Sequence, residues 1–194
     1  MIHTAAMLTH HIHFNIIPLY DKNEAIPQVI KVGILPFIRF QEGVKILVMK
    51  PFAEKEILGS PQFQIAKGTR RINISDSWCD MRLDDLQYAD ESFHEPLIDT
   101  ALREGNEEIG LRVQNIKTLF DLGGFTFISA SRGTKKLMHM FAAELLNISD
   151  FGTFESTTSE TRWFTPEEFE NQGRPDHILI IKEVVKRLND HMTV

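Results

Sequence analysis

The run Glu95–Leu111, EPLIDTALREGNEEIGL, constrains this chain more than any other stretch. Taken as a helix, it places Glu104, Glu107 and Glu108 at i, i+3 and i+4, so three carboxylates share one face. Like charges crowded in this way repel unless a cation lies among them. Ile98, Ala101, Leu102, Gly105 and Ile109 fall on another face at helical spacing, which can pack on a core. Gly110 stands where such a helix would stop. At the other end, Ser92 and Glu95 have capping-box spacing, whereas Pro96 suits a first helical turn, so the two cues place the start differently. One packed face and one carboxylate face suit a hard divalent cation with oxygen ligands, such as Mg²⁺ held between protein and phosphate. A solvated acidic helix would show the same triplet.

Length and charge narrow the partners. A chain of 194 residues, 42% hydrophobic and 25% charged, can bury one sizeable core as a soluble globular domain. A net charge of −6 argues against a nucleic-acid backbone as partner, which calls for a basic surface. It leaves room for a small phosphorylated ligand whose charge a metal and a few Arg or Lys offset. Cys79 is the only cysteine, so no intramolecular disulfide can form and a reducing, cytoplasmic location is expected. The opening MIHTAAMLTHHIHFNIIPLYD lacks a basic n-region and a long apolar run, so neither a signal peptide nor a membrane span is expected. His10, His11 and His13 have no carboxylate or Cys beside them and read as polar residues of an N-terminal segment, residues 1–28.

Before the acidic stretch, 29–41 and 45–52 are apolar, β-branched runs split by Glu42-Gly43-Val44, which predicts an antiparallel hairpin. Pro36 within the first run suggests an edge position or a bulge. Residues 53–61 read as a loop. Lys67, Arg70 and Arg71 form the densest basic cluster near the acidic helix and are candidate phosphate-binding residues. After the acidic stretch, 117–128 reads as a strand and Gly123-Gly124 as a bulge or close packing. Residues 129–134 read as a turn. His139 carries no evident chemical duty. Thr165, Pro166 and Glu168 have the spacing of a capped helix start. Residues 176–192 form a last helix with Ile178, Ile181, Val185 and Leu188 on one face.

The acidic stretch resembles the Nudix box, G-x5-E-x7-R-E-U-x-E-E-x-G-U with U apolar, over residues 89–111. Glu95, Arg103, Glu104, Glu107, Glu108, Gly110 and Leu111 match; Ala89 and Gly105 depart from it. Gly105 costs about 1 kcal/mol in a helix interior relative to Ala, which implies a close approach by another element.

The resemblance implies an α/β fold: a Nudix-like α/β/α sandwich with a mixed sheet between helices, formed by a single domain over residues 29–194. It also implies that 135–146, which helix propensity alone would allow as a helix, is a strand. It likens Ala66-Lys67-Gly68 to the turn that ends a strand just before the box. Members of the family place few residues between that Gly and the first box Glu, so the long stretch here is an insertion at about 69–94, acidic and carrying Trp78 and Tyr88. Either aromatic could stack on a base or anchor the insertion to the body, the second being the commoner use.

The activity implied is Mg²⁺- or Mn²⁺-dependent hydrolysis of a diphosphate linkage in a nucleoside diphosphate joined to another moiety. Glu104, Glu107, Glu108 and the Gly68 carbonyl would ligate metal. A box Glu, Glu155 or Glu160 would serve as general base, and Arg103 with Glu95 would fix the geometry of helix and loop. The alternative is a non-catalytic nucleotide sensor on the same fold; the three intact glutamates argue against it. The partner expected is a small nucleotide-type substrate, with no membrane and no nucleic acid, in a chain that could form a homodimer.

Overall fold

The computed structural model describes residues 9–10, 31–41, 43–52, 62–74, 77–80, 91–128, 135–155 and 157–190. The expected loops at 53–61 and 129–134, and Tyr88, lie outside them.

Two long strands open the body, β2 (Lys31–Phe40) and β3 (Gly43–Pro51), after a short β1 (Thr9–His10) from the N-terminal segment. β4 (Ala66–Thr69) follows, then a separate hairpin of β5 (Arg71–Ile74) and β6 (Ser77–Asp80). Helix α1 (Leu97–Ile109) carries the acidic face. Strands β7 (Ile116–Ile128), β8 (Lys135–Leu145) and β9 (Thr158–Phe164) precede helices α2 (Pro166–Gln172) and α3 (Pro175–Asp190). The main sheet runs β1-β7-β8-β2-β3-β9, with β4 also on β2. It is mixed: β2 runs parallel to β8 and antiparallel to β3 and β4.

Alternation along the strands separates two cores. On one face α1 presents Ala101 and Ile109 to Val32, Ile34, Leu47, Leu119, Phe141 and Ala143. On the other, Phe169 of α2 and Ile180, Ile181, Val184 and Leu188 of α3 cover Leu35, Phe37, Ile46, Met138 and Met140. The molecule is thus the α/β/α sandwich implied above, and 135–145 is a strand despite its helix formers. β8 pairs along both edges and is buried on both faces at Met138, Met140, Phe141, Ala142 and Ala143, an environment that overrides propensity.

Several local expectations change. Pro36 sits in an interior strand, not at a sheet edge. Along one side of β2, residues 31–34 pair with β4 and 37–40 with β3, so Leu35 and Pro36 fall where the partner changes and no ladder bond is asked of the missing N–H. Ala66-Lys67-Gly68 is part of β4, not a turn. The capping box at Ser92 does not form: α1 begins after Pro96 with no side-chain cap, because the Glu95 carboxylate is engaged elsewhere. The box at Thr165 and Glu168 does form. Gly110 ends α1 with left-handed φ 66°. At Gly105 a Cβ would stand 2.9 Å from Ile34 Cγ2, so the helix and β2 approach too closely for any side chain there. Gly123 marks a bulge in β7.

Candidate functional site

Arg103 organises the acidic face of α1. Its Nε and Nη2 donate to the two carboxylate oxygens of Glu95, each at 2.9 Å, a bidentate fork. Nη1 donates to Glu104 Oε1 at 2.6 Å and to Glu107 Oε2 at 3.0 Å, and Nη2 also donates to the Thr69 carbonyl at 3.1 Å. Glu95 is buried, and its carboxylate further accepts from the Arg71 N–H and from Thr100 Oγ1. Burial alone would raise its pKa; the bonds from Arg103, Arg71 and Thr100 outweigh that and hold it below the usual carboxylate value. Burial pulls the Arg103 guanidinium down, but Glu95 and Glu104 more than compensate, and it stays charged.

The three glutamates differ in setting. Glu104 is buried against β4, where its carboxylate fills the space a side chain at Gly68 would need: a Cβ there would stand 1.8 Å from Oε1. Glu108 Oε2 accepts the Lys67 N–H at 2.7 Å. Burial pushes the pKa of both upward against the pull of Arg103 on Glu104 and of Lys67 on Glu108, so each carries a charge that is poorly solvated. Glu107 is the more open, with the Arg71 guanidinium 3.6 Å away.

Of the basic candidates, Lys67 and Arg71 stand at this face and Arg70 does not. Arg70 is buried, and its Nε donates to the Glu95 carbonyl at 2.8 Å, which removes its guanidinium from any external phosphate. The Lys67 pKa is lowered to about 8, burial outweighing the attraction of Glu108. Its Nζ donates to Gln64 Oε1, which also accepts from Arg174, itself forked onto buried Asp176 at 2.7 and 2.8 Å. This polar chain joins the start of α3 to the acidic face. The sequence held no sign of it, because Gln64, Lys67, Glu108 and Arg174 share no spacing rule.

The two loop glutamates separate. The Glu155 N–H donates to the Glu107 carbonyl at 2.7 Å, and Thr158 Oγ1 to the Glu108 carbonyl at 2.8 Å, so this segment is stitched to the end of the acidic helix. Glu160 lies on β9 and accepts from Arg162 Nε at 2.9 Å. His139 has a partner that sequence reading missed: its Nε2 lies 2.7 Å from Asp121 Oδ1, which also caps the Gly123 bulge.

Among the described residues no three carboxylates already converge on one point. The donors nevertheless suit a hard cation: three carboxylates on one helical face, with the Gly68 backbone directly beneath Glu104. Arg103 Nη1 lies between Glu104 and Glu107 and offsets part of their mutual repulsion.

The NUDIX domain family matches residues 93–184. No curated protein matches the chain. Solved structures do. An Ap4A hydrolase from C. elegans, in a binary complex, shares 13% identity at TM-score 0.57, covering 84% of this chain and 98% of that one. The NUDIX domain of Shewanella oneidensis NrtR, complexed with ADP ribose, shares 16% at TM-score 0.58, covering 88% and 94%. A Nudix hydrolase from M. smegmatis, RenU, shares 12% at TM-score 0.53, covering 84% and 90%. At such identities the likeness is one of fold, that of Nudix proteins, and it agrees with the segment that matches the NUDIX domain, which holds the glutamate triplet, Arg103 and Glu95.

Proposed function

We propose that the protein is a divalent-metal-dependent pyrophosphohydrolase, cleaving a diphosphate linkage in a nucleoside diphosphate joined to another moiety. The observation that carries this is the packing of Glu104 and Glu107 around one guanidinium, with Glu108 beside them on the Lys67 N–H, above a backbone that Gly68 leaves bare. Glu104, Glu107, Glu108 and the Gly68 carbonyl would hold Mg²⁺ or Mn²⁺. Such an ion neutralises phosphate charge and acidifies water.

The chain's own residues do the rest. Arg103 and Glu95 lock the helix to the β4–β5 junction and thereby orient the ligand carboxylates, a positioning role. Lys67 and Arg71 offer charge to phosphate oxygens from the adjoining strands. Glu155 is the better placed loop candidate for general base, because its backbone is bonded to Glu107, whereas Glu160 is held by Arg162. Among the described residues no helix is long and apolar enough to cross a membrane.

The test is hydrolysis of nucleoside triphosphates, nucleotide sugars, dinucleoside polyphosphates and coenzyme A, with Mg²⁺ or Mn²⁺, products identified by mass. At least one should be cut at a diphosphate. If every compound that raises the melting temperature is recovered intact after long incubation with metal, the chain is a nucleotide sensor and this reading falls.

Gly68→Ala separates site from scaffold. The added methyl collides with the Glu104 carboxylate, the free end of a flexible side chain, so the fold should survive while the ligand is displaced. Melting temperature should stay within a few degrees, as about 1 kcal/mol shifts a domain of this size by ~2–4 °C. Turnover should drop by roughly 10-fold or more, the scale of a disturbed ligand shell.

A further inference from the structure

The described part of the stretch before the box includes the β5–β6 hairpin, outside the segment that matches the family. Its two faces are unlike. Ile72 is fully buried and bridges to His94, so one face is fixed to the body. The register pairs Arg71 with Asp80 and Asn73 with Trp78, so by alternation Arg71, Asn73 and Trp78 share the opposite face. On that face the Arg71 guanidinium reaches to 3.6 Å from Glu107. Trp78, two cross-strand pairs further along, is 50% exposed.

Anchoring an insertion calls for a buried aromatic; Trp78 is not buried, and Ile72 already does that work. A large indole left half in water, on the face that leads to the acidic helix, is the observation to explain. The other tryptophan, Trp163, contrasts with it, packing edge-on against Phe151 at 6.2 Å beside the core.

We propose that Trp78 is a nucleobase-stacking residue of this site: the base of a nucleotide lies on its indole while the phosphates meet Arg71 and the α1 glutamates. This rests on the pyrophosphohydrolase reading and extends it to specificity. The spacing agrees. Two residues of strand separate the Arg71 and Trp78 levels by about 7 Å, the scale of the ribose between phosphate and base. The acidic composition of the insertion does not oppose this, because a base is uncharged and presents a π face. Stacking of this kind favours nucleotides over base-free phosphates and tolerates different bases.

The experiment compares ADP and inorganic pyrophosphate, each with Mg²⁺, binding to the full chain by calorimetry. Trp78→Ala should weaken ADP by about 5- to 100-fold, the range for loss of one base–aromatic stack, and leave pyrophosphate unchanged. Trp78→Phe should keep most of the ADP affinity and abolish the ADP-induced change in tryptophan emission, since Trp163 remains the only fluorophore of its kind. If ADP binds Trp78→Ala as tightly as the parent while pyrophosphate binds both, Trp78 does not hold the base and the hydrolase reading stands. If ADP and pyrophosphate are weakened together, the residue supports the hairpin and the stacking proposal is wrong. If the parent binds neither, both readings fall.

Discussion

Glu108→Gln is expected to lower metal-dependent turnover by at least ~10-fold, with little change in fold. The substitution keeps the shape of the side chain, and the amide oxygen can still accept the Lys67 N–H. It removes one negative charge from a group of three that together would hold a divalent ion. Loss of residues that merely orient a metal ligand already costs about 10- to 100-fold, so loss of a ligand charge sets a floor. Burial raises the pKa of Glu108, so its ionised form is disfavoured without a cation nearby. Neutralising it should therefore leave the metal-free protein as stable as the parent or more so, while Mg²⁺ should raise the melting temperature of the parent more than that of the variant. Turnover by titrated Mg²⁺ and calorimetric melting with and without the ion check both parts. Full parental activity in excess chelator would remove the metal from the account.

Arg103→Ala should be the most destabilising single change on the acidic helix. The guanidinium holds buried Glu95 by two bonds and also touches Glu104, Glu107 and the Thr69 carbonyl. Removing it leaves buried carboxylates without their counter-ion, which costs about 3–5 kcal/mol. For a domain of this size that corresponds to a fall in melting temperature of roughly 6–20 °C. Arg103→Lys should recover only part of it, because an ammonium cannot make the fork. Arg112→Ala, which breaks an exposed pair with Asp150, should cost less than about 1 kcal/mol and serves as the control. The pH dependence has a definite sign. The folded-state pKa of Glu95 is depressed, so its contribution is present above the unfolded carboxylate value and is lost as pH falls through the folded one. The stability gap between the parent and Glu95→Gln should accordingly narrow in acid. A gap that widened there would mean the carboxylate is not held as described.

The acidic helix, its packed face, its stop at Gly110 and the capped start of α2 were legible in the chain because each follows from local rules: a 3.6-residue period, a left-handed terminus, a side chain reaching three residues on. The strand assignment of 135–145 was not local; it came from the family likeness, and burial on both faces of β8 is its physical basis. Where local rules competed with a distant partner, the partner won. Glu95 has the spacing to cap α1, yet it faces Arg103, whose charge a cap cannot match. Arg70 and Arg71 are adjacent and chemically alike; the passage from β4 to β5 buries Arg70 and opens Arg71 towards Glu107. Glu155 and Glu160 were equivalent in sequence until one backbone was bonded to the acidic helix and the other placed on β9. The sequence by itself determined which groups the chain could bring to a site, since charge, period and turn chemistry are properties of neighbours. Only the tertiary structure decided which of them meet, which are buried and which, like Trp78, are left facing outward, because those outcomes depend on contacts between segments far apart in the chain.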